Sequence, residues 1–432
     1  MNIYFSGIGG AGIGPLALIA HQAGFDVSGS DSQKSQYTEY LQKLGIKLHI
    51  GQTSEQIGKE HAKNPIDWIV FSSAVYITNP NHPELTFARE NNIKCSKRDE
   101  CLNLILEQKK LSLIAIAGTH GKTTTTALTV WLLKELKIPV SYSVGAKVQS
   151  EPMGLYDPDS KYFVYECDEF DRNFLSFKPQ SSIITVVDWD HHDIYPTQES
   201  YKQAFRDFIG QSEHTLILEK DAKYLDIAQS ETVKVLGKES GEMIGLNLHG
   251  LHNRQNAYVA IEAIAMLFGK KIDELVDIAN RFPGSSRRFE ELAPNIYTDY
   301  AHTPEEIKAT IQLAKEVSNN VVVVYEPLTD RRQHYMKDQY CSVFEPVKKV
   351  YWLPSYLARE DPSVPILTPQ ELILGLSSHT NAVVATKSDA LRETILAHAT
   401  SGDLVICMAG GGGDSLDEWA RKNLTAPEAG GN

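Results

Sequence analysis

Cysteine is scarce in this sequence. Its five cysteines are scattered and contain no CxxC pair; they are Cys95, Cys101, Cys167, Cys341 and Cys407. An odd, dispersed set of this kind predicts reduced thiols in a cytoplasmic protein and excludes a disulfide framework. It also argues against a zinc site, which needs closely spaced thiolate or imidazole ligands.

Long hydrophobic runs and an excess of basic charge are also missing. No run approaches the roughly 18 apolar residues of a membrane-spanning helix, and the start, MNIYFSGIGG, lacks a charged segment before an apolar one. We therefore expect neither a membrane span nor a signal peptide. The net charge of −13 argues against a nucleic acid partner, because such proteins carry a basic face. A local basic pocket for nucleotide phosphates remains compatible with it.

What the sequence does contain is a repeated strand–turn–helix pattern. An apolar strand at Ile3–Phe5 leads through glycines into an apolar helix, and LSLIAIA at 111–117 does the same. After the turn-rich linker PGSSRRFE, buried strands recur in VVVVY and DLVICMA. This alternation predicts α/β domains with parallel sheets, and 432 residues suffice for about three of them. We place the domains at 1–108, 109–283 and 284–432.

The first glycine turn has the spacing of a dinucleotide-binding motif. Gly7, Gly9 and Gly12 match G-x-G-x-x-G, and Asp31 ends the next predicted strand. Such glycines let a diphosphate approach backbone N–H groups at a helix N-terminus, and the acidic residue can accept a hydrogen bond from a ribose hydroxyl. The motif alone favours NAD, and hence an NAD-dependent oxidoreductase. It does not distinguish NAD from a UDP-linked ligand, or from a turn that binds nothing.

The second glycine turn, GTHGKTTTT, contains the GKT core of a phosphate-binding loop. In such a loop Lys122 places a positive charge on the β- and γ-phosphate oxygens, and the Thr123 hydroxyl can ligate Mg²⁺. The match is imperfect, since Ile116 stands where the general pattern has a glycine. The alternative is a polar helix cap.

Two acidic clusters and one polar helix start complete the candidate site. Carboxylates at strand ends beside a phosphate loop are suited to Mg²⁺, whereas histidine is a less usual ligand and solvated loop charge is the alternative. A helix that opens with polar side chains indicates either nucleotide contacts or an N-terminal cap. The residues concerned are Glu166, Asp168, Glu169 and Asp171; Asp188, Asp190, His191, His192 and Asp193; and His252, Asn253 and Asn256.

These motifs together resemble the Mur ligase family, and most closely its L-alanine-adding branch. The resemblance covers nearly the whole chain, because GIGGAGIG, AGTHGKTTTT, ECDEFDRNFL, DWDHHD, GLHNRQNA, SRRFE, TDYAHTPEEI and LAREDP occur in that family's order. It implies a Rossmann-like N-terminal domain, a central P-loop ATPase with a mainly parallel sheet, and a C-terminal Rossmann-like α/β domain. It further implies an ATP- and Mg²⁺-dependent ligase acting on UDP-N-acetylmuramate and L-alanine, as a monomer or homodimer.

The resemblance also implies residue roles. It places the catalytic groups at Lys122, Glu166, His191 and Arg288, with one Mg²⁺ on Thr123 and Glu166 and a second on His191. ATP would be bound by Gly118, Thr119, His120, Gly121, Lys122, Thr123, Thr124, Asn253, Asn256, Arg288 and Asp299. The UDP-sugar would be bound by Gly9, Gly10, Gly12, Asp31 and Ser73, and the amino acid by Tyr300, His302, Arg332 and Arg359.

The sequence departs from the family pattern in four places. Val186 stands for a usual asparagine, Thr303 replaces a second histidine after His302, and AGGGGDS replaces a GAGD stretch. In the loosely matching segment YEPLTDRRQHY, Arg332 falls on the final arginine. A ligase that attaches a preformed peptide to the same sugar is therefore an alternative, as is a nucleotide-binding regulator without turnover. Domain closure would require a hinge, which we expect near Gly284.

Overall fold

The computed structural model describes residues 1–72, 75–76, 79–148, 151–191, 194–237, 245–357, 360, 363–377 and 381–425. They form three sheets that are mainly parallel and are flanked by helices, which confirms the three-domain α/β class. All five cysteines are free. Among the described residues, no helix has both the length and the apolar character needed to cross a bilayer.

The first sheet positions the first glycine turn. It consists of β1 (Asn2–Ser6), β2 (Asp26–Asp31), β3 (Lys47–Ile50), β4 (Trp68–Phe71) and β5 (Lys94–Lys97), with helices α1 (Gly14–Gln22), α2 (Gln36–Lys43), α3 (Ser54–Lys63), α4 (Pro83–Glu90) and α5 (Arg98–Lys109). The parallel strands lie in the order β3-β2-β1-β4-β5. The strand order reverses at β1, and a ligand crevice opens beyond the carboxyl ends at such a point. The glycine turn follows β1 and lies at this crevice.

The second sheet positions the GKT loop in the same way. It contains β6 (Ser112–Ala117), β7 (Ser141–Ser143), β8 (Gly154–Leu155), β9 (Tyr162–Glu166), β10 (Ser181–Ile184), β11 (His214–Leu218) and β12 (Val233–Leu236), with α6 (Lys122–Glu135), a 3₁₀ segment at Phe170–Ser176, α7 (Gln198–Gly210), α8 (Glu219–Tyr224), α9 (Leu251–Phe268) and α10 (Ile272–Ala279). The order is β12-β11-β10-β6-β9-β7-β8, and only β8 is antiparallel to its neighbour. The GKT loop follows β6, where the order reverses between β10 and β9.

The third sheet carries the C-terminal candidates. It contains β13 (Glu290–Ala293), β14 (Ile296–Asp299), β15 (Val321–Glu326), β16 (Lys349–Trp352), β17 (Ala382–Val384) and β18 (Leu404–Ala409), with α11 (Pro304–Val317), α12 (Asp330–Met336), a 3₁₀ segment at Lys337–Tyr340, α13 (Pro369–Leu374), α14 (Asp389–Thr400) and α15 (Leu416–Leu424). The order is β13-β14-β18-β15-β16-β17, parallel except for β13. The apolar runs of β15 and β18 are fully buried, as expected for a parallel sheet with both faces covered.

The chain divides into two compact units. The first comprises Met1–Leu246 and Asn256–Pro283, and the second comprises Asn247–Gln255 and Gly284–Asn432. In the first unit, side chains from two sheets, such as Phe5 and Ile184, belong to one continuous hydrophobic cluster. The second unit has its own cores on the two faces of the third sheet.

Candidate functional site

The GKT loop is shaped by two glycines that adopt a left-handed backbone. Gly118 has a φ of 148° and Gly121, which precedes α6, has a φ of 83°. A side chain at Gly121 would collide with the amide of Asn256, since a Cβ there would lie 2.7 Å from its nitrogen. Both positions therefore require glycine. The same contact places Asn256, predicted from the polar start of α9, directly against the loop.

The end of β10 anchors the loop through the backbone. Thr119 donates its N–H to the carbonyl of Val186 at 2.7 Å, and its hydroxyl lies 2.7 Å from the carbonyl of Asp188. The Thr185 hydroxyl donates to the carbonyl of His120 at 2.6 Å. Because Val186 uses its main chain here, the departure from the family's asparagine leaves this anchor intact.

Lys122 is held inside its own loop by a buried carboxylate. Its ammonium donates to the carbonyls of Gly118 and Thr119 and to Glu169 Oε2 at 2.7 Å. Burial alone would lower the pKa of Lys122, but the charges of Glu169 and Asp168 outweigh it and raise that pKa. The ammonium is therefore charged at neutral pH and lies where the loop would cradle phosphate.

Sequence reasoning did not assign this role to Glu169. Within the acidic segment, defined here as Glu166–Asp171, the family resemblance singles out Glu166 and gives Glu169 no role of its own. Glu169 is 1% exposed, and its backbone carbonyl accepts a hydrogen bond from the Tyr195 hydroxyl at 2.6 Å. Its burial beside Lys122 distinguishes it from its neighbours, and no feature of the sequence pattern reports that burial.

Thr123 and Glu166 meet at the ends of α6 and β9. The Thr123 hydroxyl donates to Glu166 Oε1 at 2.8 Å, and Gly145 N–H donates to Glu166 Oε2 at 2.7 Å. A hydroxyl and a carboxylate are hard oxygen donors of the kind that Mg²⁺ prefers, and Mg²⁺ usually completes its shell with water and substrate phosphates. These two residues fit such an ion. Among the described residues, no group of three or more His, Cys, Asp or Glu could hold a metal alone.

His191 lies on the Glu169 side of the site. Its Nε2 is 3.6 Å from Glu169 Oε1 and 3.8 Å from Asp190 Oδ2, and its backbone has a φ of 53°. A left-handed backbone is unfavourable for a non-glycine residue and is often retained at functional sites. The distances place His191 near Glu169, the partner of Lys122. His192 and Asp193 lie outside the described residues, as do the predicted Ser73 and Arg359.

The first glycine turn uses Asp31 to hold itself together. Gly7 and Ile8 donate their N–H groups to the carbonyl of Ser30, both at 2.9 Å, and Gly9 donates to Asp31 Oδ2 at 2.7 Å. The carboxylate that the motif assigns to a ribose hydroxyl thus bonds the turn's own backbone. Gly10 lies on the exposed side of this turn, and Gly12 follows it.

A buried carboxylate that the sequence did not reveal supports this turn. Glu84, at the start of α4, is fully buried and accepts hydrogen bonds from the hydroxyls of Tyr4, Ser6 and Ser30 at 2.6–2.8 Å. Because Ser6 ends β1 and Ser30 is the penultimate residue of β2, Glu84 ties together the two strand ends from which the turn is built.

In the second unit, Asn253 bonds local backbone. Its amide nitrogen donates to the carbonyl of His249 at 3.0 Å, just before α9. The neighbouring His252 is half-buried, and its partial desolvation together with the charge of Arg288 lowers its pKa to about 4. His252 is therefore neutral at physiological pH.

The segment that carries Asn253 is fixed to α11 by Glu316. Glu316 accepts hydrogen bonds from Gly250 N–H at 2.8 Å and from Arg254 at 2.9 Å and 3.2 Å. These bonds, led by that from Arg254, lower the pKa of Glu316 to about 2. A carboxylate with a depressed pKa stabilises the folded state above its unfolded pKa, and this contribution is lost as the pH falls through the folded value.

This linkage gives a pH prediction. The difference in unfolding free energy between the wild type and Glu316→Gln should be about 1–2 kcal/mol at pH 6, after allowance for solvent screening. It should fall progressively between about pH 4.5 and pH 2, and urea unfolding of both proteins across that range measures it. A difference that does not change with pH would show that Glu316 gains nothing from its charge.

The carboxyl ends of β14 and β15 bring His302 and Arg332 together. Arg332 Nη1 lies 2.8 Å from His302 Nε2, and His302 Nδ1 lies 3.0 Å from the carbonyl of Tyr300. If Nδ1 carries the ring proton, Nε2 accepts from the guanidinium. Three of the predicted amino-acid-binding residues therefore form one cluster at the edge of the sheet where α/β ligand sites lie.

Asp299 and Thr303 have clear structural roles in the same region. Asp299 is buried and accepts hydrogen bonds from the N–H groups of Phe289 and Ala301 at 2.7 Å and 2.8 Å, and burial raises its pKa. Thr303 caps α11 in a reciprocal capping box with Glu306. The replacement of a family histidine by Thr303 thus supplies a helix cap. Arg288, predicted to reach phosphate, stacks over the Tyr300 ring at 4.9 Å.

Comparison with known proteins extends this picture. Residues 2–110 match the Mur ligase family catalytic domain, 116–240 the Mur ligase middle domain, and 287–411 the Mur ligase glutamate ligase domain. A UDP-N-acetylmuramate–L-alanine ligase from Dinoroseobacter shibae is 30% identical, with 98% of this chain and 97% of the relative covered. The fold is shared with a UDP-N-acetylmuramate–alanine ligase from Thermotoga maritima (TM-score 0.75, 24% identity, 98% of both chains) and a murein peptide ligase from Psychrobacter arcticus (0.64, 20%, 98% of both).

Proposed function

The chain belongs to the Mur ligase family of enzymes, and we propose that it joins the carboxylate of UDP-N-acetylmuramate to L-alanine at the expense of ATP. The reaction is a step in the synthesis of peptidoglycan precursors, and we infer that it takes place in the cytoplasm. Residues 1–108 bring the UDP-sugar, 109–283 bind ATP, and 284–432 bring the amino acid.

One observation supports the ATP-dependent chemistry of this proposal. At the reversal point of the second sheet, Lys122 meets Glu169 and Thr123 meets Glu166, at 2.7 Å and 2.8 Å. A charged lysine, a metal-suited hydroxyl–carboxylate pair and a glycine-shaped loop are the parts that phosphoryl transfer requires. An oxidoreductase has no use for them.

The proposed reaction has two steps. A carboxylate oxygen of the sugar attacks the γ-phosphorus of ATP, and the bond from that phosphorus to the bridging oxygen of ADP breaks, giving an acyl phosphate and ADP. The amine of L-alanine then attacks the acyl carbon, phosphate leaves with its electron pair, and the amine loses a proton. The first step converts a poor leaving group into a good one, which is why ATP is needed.

Residues of the GKT loop assist the first step because they hold positive charge and N–H donors in fixed positions around the triphosphate. Lys122 stabilises the negative charge on the transferring oxygens, and the loop N–H groups orient the triphosphate. Thr123 and Glu166 would hold one Mg²⁺ and His191 a second, and these ions would neutralise phosphate charge when bound. Asn256 contacts the loop and is proposed to bind the nucleotide together with Asn253, Arg288 and Asp299.

The second step requires that a small amino acid be oriented. L-alanine offers only its carboxylate and its ammonium group as strong contacts. We propose that Arg332, supported by His302, binds the carboxylate and directs the amine to the acyl phosphate. A preformed peptide is the competing acceptor, and a mixture of L-alanine and a peptide that begins with L-alanine would show by mass spectrometry which product dominates.

The first glycine turn is proposed to bind the UDP part and not NAD. Calorimetry should detect binding of UDP-N-acetylmuramate and none of NAD. Gly9→Val should abolish that binding, because a Cβ at Gly9 would lie 2.8 Å from Thr38 and 2.9 Å from Asp31, within the turn itself. Gly210→Ala is the matched control, since nothing lies within 4 Å of its Cβ. Tight NAD binding that competes with the sugar nucleotide would reverse the assignment.

Phosphate release tests the proposed activity. With ATP and Mg²⁺ present, release should require both UDP-N-acetylmuramate and L-alanine, and omission of either should return it to background. Release without the sugar nucleotide would indicate a simple ATPase, and no release with all components present would indicate a nucleotide-binding regulator.

A further inference from the structure

Arg98 occupies a position between the two glycine-turn domains that the proposed mechanism does not use. It is the first residue of α5, directly after β5, and its side chain is 20% exposed. Its Nη1 covers Gly12, so that a methyl group added at Gly12 would collide with it. Its Nη2 donates to Asp168 Oδ2 at 2.9 Å. One guanidinium thus contacts both the first glycine turn and the acidic segment.

The acidic segment is the part of the central domain that serves the GKT loop. Its Glu166 bonds Thr123 and its Glu169 bonds Lys122, with Asp168 between them. Asp171 pairs with Lys97, the neighbour of Arg98. Since Lys97, the last residue of β5, already ties this segment to the start of α5, a second ion pair from Arg98 is not needed to hold the two together. This redundancy points to another task for Arg98.

Charge and position indicate what that task is. The first glycine turn is shaped for a diphosphate, and Arg98 covers its last glycine with a planar group that matches phosphate oxygens. In the structure Asp168 accepts a hydrogen bond from that guanidinium, and the charge of Asp99 lies close enough to favour it as well. A diphosphate carries more charge than a carboxylate, so it competes effectively for the same donors.

We infer that Arg98 binds the diphosphate of the nucleotide-sugar at the first glycine turn and gives up Asp168 to do so. The inference rests on the proposed function, because it takes the ligand of this turn to be UDP-linked. Arg98 is then a binding residue, and Asp168 is its partner in the absence of the ligand.

Calorimetry with UDP as the probe tests the inference, because two substitutions should change the affinity for UDP in different directions. Arg98→Met should weaken UDP binding about 10- to 100-fold, the scale for loss of a charge-assisted hydrogen bond. Asp168→Asn should leave UDP binding unchanged or tighter, because it removes the competing carboxylate. Arg89→Met removes one charge from an exposed position in the same domain and should have no effect.

The alternative, that the ion pair is purely structural, predicts a different result. Both substitutions would then weaken UDP binding equally, and that outcome would overturn the inference, as would unchanged binding by Arg98→Met. Thermal unfolding shows whether each variant is folded. If Arg98→Met does not fold, Arg98→Lys replaces it, and its UDP affinity is compared with that of Asp168→Asn in the same way.

Two further measurements separate this inference from the proposed function: phosphate release by the wild type, and binding of UDP-N-acetylmuramate by Arg98→Met. If the wild type binds UDP and releases phosphate as proposed but Arg98→Met binds UDP normally, only the inference is wrong. If Arg98→Met weakens UDP-N-acetylmuramate but not UDP, the guanidinium serves the sugar carboxylate and the diphosphate assignment is wrong. A wild type that binds no UDP would remove both.

Discussion

Replacing Lys122 by alanine is expected to lower the turnover rate by roughly 10²–10³ or more, the scale for losing a preorganised group that stabilises developing charge. The ammonium lies against the carbonyls of Gly118 and Thr119 and against Glu169, inside the loop that would hold the triphosphate. Water cannot replace a fixed charge at that point without reorganising. Steady-state phosphate release with saturating substrates measures the effect.

The control must account for Glu169. Removal of Lys122 leaves a carboxylate that is 1% exposed without its partner, which is itself destabilising. Lys122→Ala combined with Glu169→Gln removes that penalty, so it should restore the unfolding temperature but not the turnover. Lys134→Ala, in the last turn of the same helix, should keep near-normal activity. Near-normal turnover in Lys122→Ala would remove the loop from the mechanism.

Replacing Arg332 by alanine is expected to raise the KM for the amino acid by about 30- to 100-fold, as for loss of a charge-assisted pair. The KM values for ATP and the UDP-sugar should change little. Arg332 lies 2.8 Å from His302, so the guanidinium is held in place before the substrate arrives. Initial rates with each substrate varied in turn give the three constants.

Arg331 provides a matched control for this substitution. It is the exposed neighbour of Arg332. Its backbone N–H donates to Glu360 at 3.0 Å, and alanine retains that N–H. Arg331→Ala should therefore leave all three KM values unchanged. Equal weakening of every substrate in Arg332→Ala would instead indicate a defect in folding or closure. An unchanged amino-acid KM would exclude Arg332 from the site.

The sequence predicted the framework of the site because that framework is local. Apolar runs marked β1, β6, β15 and β18, and the turns after β1 and β6 could be recognised from their glycines and, in the second, from Lys122. Placing these turns at the reversal points of parallel sheets then follows from topology.

The partners of these residues could not be predicted because they depend on tertiary contacts and side-chain direction. Nothing in ECDEFD states that Glu166 turns to Thr123 and Glu169 to Lys122, since β9 ends at Glu166 and residues 167–169 follow no regular strand or helix period. Asp31 illustrates the same point, because its spacing predicts a ribose contact but gives no sign of the hydrogen bond that its carboxylate accepts from Gly9 N–H. The contact of Arg98 with Asp168 joins residues far apart in the chain.

Transfer of an oxygen atom tests the central claim, that ATP activates the sugar carboxylate, most directly. UDP-N-acetylmuramate labelled with ¹⁸O in both carboxylate oxygens would be converted with ATP, Mg²⁺ and L-alanine, and the released phosphate analysed by mass spectrometry. The acyl-phosphate route predicts that each phosphate carries one ¹⁸O and that the amide product retains the other. Unlabelled phosphate, released in step with product, would contradict the account.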